Sequence, residues 1–139
     1  MGTNYYHVSE PCEYCGRSDM SLHIGKSSAG WCFALHVYPE SGPENLQDWI
    51  ERWLKGGSIK DGGDKDVSLE DMLRVIMIRS MKYPLTGDIA RHRGHCNLAD
   101  FYHVNYAQPG PNNLLRHKIE GNCIDHGDGT WDLMTGDFS

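Results

Sequence analysis

The sequence contains no apolar run approaching the roughly 20 residues that a membrane-spanning helix requires. Its opening, Met1-Gly-Thr-Asn-Tyr-Tyr-His7, has neither the basic n-region nor the apolar h-region of a secretory signal, so the cytosol is the expected compartment. Positive charge is scarce: 13 Lys and Arg face 19 Asp and Glu, a net charge of −6. That balance disfavours nucleic-acid binding through a general basic surface, because phosphate neutralisation needs clustered cations. There is no internal repeat and no low-complexity tract. No H-E-x-x-H, deaminase-type or paired-carboxylate signature occurs. Gly25-Lys26-Ser27 resembles the end of a phosphate-binding loop, but Met20 stands where that motif needs glycine and a strand pattern follows where it needs a helix.

What is present points to a folded chain. Hydrophobic residues make up 39% and charged ones 23% of 139 residues, a globular balance in a chain long enough to bury a real core. Thr3–Val8 is aromatic and β-like; Ser21–Ile24 and Trp31–Tyr38 read as a hairpin joined by the small residues Gly25 to Gly30. Leu46, Trp49, Ile50, Trp53 and Leu54 repeat at helical spacing and stop at Gly56-Gly57. Ser58 to Val67 reads as a small hairpin around Asp61-Gly-Gly-Asp64. Ser68 then opens a second helix with Leu69, Met72, Leu73, Ile76 and Met77 on one face, ending before Pro84. Beyond Leu85, Gly, Pro, Asn and His dominate, Gln108 to Asn113 is loop chemistry, and Thr130–Met134 is the expected last strand. The expectation is one α+β domain over 1–139, with a small antiparallel sheet clipped by a zinc knuckle. A metal-clipped hairpin region would span 1–40 and two helices 45–83, with an irregular, His-rich segment over 84–139. The four tryptophans, Trp31, Trp49, Trp53 and Trp131, are expected in the core.

Five cysteines are an odd number, and a cytosolic chain of this size needs no disulfide. Cys12-Glu-Tyr-Cys15-Gly16 has the shape of a metal knuckle: thiolates two residues apart can chelate one ion, and the glycine lets the chain turn around it. Zinc suits thiolate and imidazole donors and takes four of them in a structural site. His23, Cys32 and His36 compete for the remaining places, with His7 as an outsider. On an extended strand Cys32 and His36 are about 13 Å apart, so only one can join. The expected set is Cys12, Cys15, His23 and His36, with Cys32 buried as a small apolar residue. The plain alternative is a pair of thiols in an exposed turn. A redox role is disfavoured because Gly16-Arg17-Ser18-Asp19 continues as a turn where a thioredoxin-type motif would open a helix.

A second group of chemistry-bearing residues lies in the C-terminal half: His92, His95, Cys96, His103, His117, Cys123, Asp125 and His126. The C-x-x-H spacing of Cys123 and His126 could supply half of a second metal site with His95 and Cys96 or His117. A metal-dependent hydrolase would use His92, His95, His117, Asp125 and His126, with Arg91, Arg93, Arg116 or Lys118 holding phosphate.

Met1-Gly-Thr-Asn-Tyr-Tyr6, Cys12-x-x-Cys15-Gly16-Arg17, His23-Ile-Gly-Lys-Ser-Ser-Ala-Gly-Trp31-Cys-Phe33, Gly110–His117, His126-Gly-Asp-Gly-Thr-Trp131-Asp and Gly136-Asp-Phe-Ser139 together resemble a set of small proteins carried by bacteriophages and prophages. The resemblance covers both ends of the chain better than its middle. That family has no assigned activity, so it supplies no catalytic residues. It implies an accessory protein acting in the bacterial cytoplasm by binding a host or phage macromolecule, a host defence component included. No membrane partner is expected, because no apolar run is long enough to span one.

Overall fold

The computed structural model describes residues 2–9, 21–28, 31–77, 99, 103, 107–109, 115–117, 121–127 and 129–138, with backbone alone at 107–109 and 115–117. Nine strands and two helices run through them: β1 Gly2–Val8, β2 Ser21–Ser28, β3 Phe33–His36, α1 Leu46–Lys55, β4 Ser58–Asp61, β5 Asp66–Val67, α2 Leu69–Met77, β6 Ala107–Pro109, β7 Leu115–His117, β8 Cys123–Asp125 and β9 Trp131–Met134. The α+β class expected from the sequence is what the protein adopts.

The sheet is larger and less uniform than expected. Seven strands join in the order β5-β4-β1-β2-β3-β9-β8, and β6 pairs with β7 separately. A small antiparallel sheet is therefore corrected to a mixed one. Strand β9 lies parallel to β3, with Phe33 beside Trp131 and His36 beside Met134, while its other neighbour, β8, pairs antiparallel. Gly25 to Ser28, read as a turn, belong to β2. Described parts of 84–139, expected to be irregular before a last strand, contain β6, β7 and β8 as well.

The helices follow their sequence signals closely. Asn45 caps α1, its side chain accepting from Asp48 N–H at 2.9 Å, and Arg52 and Lys55 stand in the last turn, where the helix dipole favours cations. Ser68 Oγ accepts from Asp71 N–H at 3.1 Å and starts α2. Both helices lie on one face of the sheet. Trp49, Trp53 and Leu46 of α1 and Met72 and Ile76 of α2 form a single cluster with Ile24, Phe33, Leu35, Ile59 and Trp131. Trp49 and Trp53 stack at 5.7 Å. Trp31 is only half-buried and stands outside this cluster.

Alternation along β3 and β9 fixes what the opposite face carries. Phe33, Leu35, Trp131 and Leu133 point to the helices, so Ala34, His36, Asp132 and Met134 point away from them. That second face holds the polar chemistry.

Candidate metal-binding sites

A regular strand would not bring His23 to His36. Leu35 pairs with Gly25, so continued alternation would set Ile24, not His23, on the His36 face. Strand β2 carries one extra residue here: Tyr5 pairs with Gly25, but Tyr6 pairs with His23. This β-bulge turns Ile24 into the helix-side core and His23 to the other face. Gly25 makes the bulge feasible, because a Cβ there would run into the Ala34 carbonyl and the Phe33 ring.

The result is a compact aromatic nest. His23 Nδ1 lies 2.9 Å from His36 Nδ1, and His23 Nε2 lies 2.9 Å from Asn4 Oδ1. Since the Asn4 oxygen accepts from Nε2–H, the neutral His23 ring carries a lone pair at Nδ1, and His36 Nδ1–H donates to it. Tyr38 Oη donates to the His23 carbonyl at 2.8 Å, and its ring stacks on His36 at 4.2 Å. Phe138 lies 4.9 Å from each imidazole, and Tyr6 lies 5.3 Å from His23. Burial pushes the His23 pKa down to about 4, helped by the neighbouring His36. Burial also lowers that of His36, although Asp137 works against the shift. Both rings are therefore neutral, the state in which imidazole binds metal.

The donor geometry fits one ion. Two nitrogens on a tetrahedral zinc are about 3.3 Å apart, given bonds of roughly 2.0–2.1 Å, so the pair would open slightly and His36 would carry its ring proton on Nε2 instead of Nδ1. Asn4 on Nε2–H is the outer hydrogen bond that fixes tautomer and ring orientation in metal-bound histidines. Cys12 and Cys15, expected from the sequence as the remaining ligands, lie outside the described residues, as do His92, His95 and Cys96. The chain that carries the two cysteines nevertheless leaves Val8 and re-enters at Ser21, the terminal pair of the β1–β2 ladder and two residues from His23. Cys32 is fully buried, as expected of a small apolar residue. His7 is excluded from this face: it pairs with Leu22 and Ile59, and its Nε2–H donates to the Gly56 carbonyl at 2.8 Å.

A second grouping lies at the far side of the same face. Cys123, His126 and Asp132 bring one ligand atom each within 4.8 Å of one another. His126 Nδ1 is 3.0 Å from Asp132 Oδ1, and Asp132 is fully buried while His126 is half-exposed. Of the hydrolase residues, Asp125 is exposed and its Oδ1 accepts from the His126 N–H at 2.7 Å. His117 lies in β7, where only backbone is described, and His103 is exposed. Sequence reasoning missed Asp132, although a lone carboxylate in the middle of Thr130-Trp-Asp-Leu-Met134 was the available signal: a buried charge in an apolar strand needs a partner. No helix among the described residues is long and apolar enough to cross a membrane. Against known proteins, no family model, no curated protein and no solved structure matches this chain.

Proposed function

We propose that this protein is a zinc-stabilised accessory protein that acts by binding a macromolecule, of the host or of a phage, with a host defence component among the candidate targets. The metal clips the N-terminal strands through Cys12, Cys15, His23 and His36. The observation that carries the metal half of this reading is the 2.9 Å approach of His23 Nδ1 to His36 Nδ1, with Asn4 holding the far nitrogen. The C-x-x-C spacing of Cys12 and Cys15, and the pairing of Val8 with Ser21 two residues before His23, support the choice of thiolates. The binding half rests on the resemblance to phage proteins and on the acidic charge balance. Protein purified without a His-tag will contain stoichiometric zinc, and His23→Ala or His36→Ala will release it; zinc-free protein sinks the reading. A pull-down from host extract tests the rest. The same macromolecule should be retained by the zinc-loaded protein and lost by the stripped one.

A second reading, a metal-dependent hydrolase acting on a nucleotide or nucleic acid, is favoured by the grouping of His126 with Cys123 and Asp132. Screens with nucleotide and nucleic-acid substrates, comparing native protein with His126→Ala, decide it.

A further inference from the structure

We propose that Cys123, His126 and Asp132 form a second, three-donor site for a divalent transition-metal ion, zinc being the ion their chemistry fits. The C-x-x-H spacing offers Cys123 and His126 as a pair, but on a regular strand residues three apart point to opposite faces. Strand β8 is not regular. Cys123 pairs with Met134 and Asp125 with Leu133, so Ile124 is one residue more than β9 can match. Ile124 is pushed out and stands 53% exposed. One step further along, His126 arrives beside Asp132, its Nδ1 at 3.0 Å from Oδ1. Cys123 shares the face of Met134, and hence of Asp132, as its diagonal neighbour.

The donors are a thiolate sulfur, an imidazole nitrogen and a carboxylate oxygen. That mixture selects zinc over calcium or magnesium, which take oxygen ligands. The three atoms lie within 4.8 Å of one another, and a tetrahedral zinc would draw them to roughly 3.3–3.7 Å. Closing that gap asks for side-chain rotation of a partly buried Cys123 and a half-exposed His126, not for movement of buried Asp132. As the Zn–S bond forms, the Cys123 thiol releases its proton to solvent, and neutral His126 carries its ring proton on Nε2 instead of Nδ1. Three protein donors leave the fourth position to water or an outside ligand, the arrangement of catalytic and exchangeable zinc. The site is independent of the His23–His36 reading and is tested separately from it.

Cobalt(II) titration of the full, metal-free chain provides the test, because thiolate-to-cobalt charge transfer is visible in the near ultraviolet. In the Cys12→Ser/Cys15→Ser variant a thiolate band should persist, and adding Cys123→Ser should abolish it. Asp132→Asn should weaken cobalt binding by about tenfold or more, the loss that even outer-shell partners produce. A band that is absent from the double variant, or indifferent to Cys123→Ser, overturns the proposal. If the double variant does not fold, stoichiometry decides: Cys123→Ser should bind one cobalt fewer per chain than wild type, and an unchanged count overturns the site. Loss of metal on replacing His23 or His36, but not Cys123, would leave the first site standing and remove this one.

Discussion

His23 and His36 meet nitrogen to nitrogen because β2 is one residue longer than its partner β1 between Gly25 and His23. The pair is thus a property of a bulge as much as of two imidazoles. Gly25 is the residue that permits it: its φ is 156°, and an added Cβ would strike the Ala34 carbonyl, which is rigid backbone, and the Phe33 ring. Gly25→Ala is therefore expected to cost about 1–3 kcal/mol, the usual range for forced overpacking. It should also lower zinc retention, since straightening β2 swings His23 off the shared face. Chemical denaturation together with metal analysis checks both effects, and unchanged values of each would disconnect the bulge from the site.

The same pair sets a pH dependence. In the unfolded chain His23 titrates near its ordinary 6.5, while in the fold burial lowers it to about 4. The folded state therefore binds fewer protons between these values, so stability of the metal-free protein falls as pH drops from 6.5 towards 4 and levels off below. Above 6.5 the contribution is fully present. Discounted for the ring's partial exposure, the loss is about 1–2 kcal/mol. Urea midpoints measured across this window should fall with acidification, and His23→Gln should flatten the curve.

Local signals in the sequence were enough for much of this architecture. Helix α1 was legible from Leu46, Trp49, Ile50 and Trp53, and its ends from Gly56-Gly57, because amphipathic period and stop are written within a dozen residues. Ser68 announced α2 in the same way. The parallel pairing of Phe33 with Trp131 was not legible, since it joins segments far apart in the chain and leaves no local mark. Neither bulge was legible. Each shifts the alternation by one residue, which brings His23 to His36 and His126 to Asp132, and a strict period of two predicts neither meeting.

Asn4 does not touch the metal position in the proposed site, yet it should matter to it. Its Oδ1 accepts from His23 Nε2–H at 2.9 Å and so keeps the Nδ1 lone pair turned towards His36. Asn4→Ala is expected to reduce zinc affinity about 10- to 100-fold while leaving the stoichiometry at saturating metal unchanged. Competition against a chelator of known affinity measures the loss. An affinity equal to wild type would show that ring orientation is set by Tyr6, Tyr38 and Phe138 alone.

Two neighbouring tryptophans offer a paired comparison. Trp49 is fully buried, and its Nε1–H donates to the His36 carbonyl at 2.8 Å, tying α1 to the strand that carries the histidine. Trp53, one turn on and stacked against it, buries its Nε1–H with no partner among the described residues. Replacing either by Phe removes similar apolar area, but only Trp49→Phe deprives a buried carbonyl of its donor, a loss of about 1–3 kcal/mol. Trp53→Phe instead removes a group whose desolvation nothing offsets. Trp49→Phe should therefore be the more destabilising, by at least about 1 kcal/mol in denaturant unfolding, and it alone should weaken zinc binding through His36. Equal losses from the two substitutions would mean that the helix is held to β3 by packing and not by this hydrogen bond.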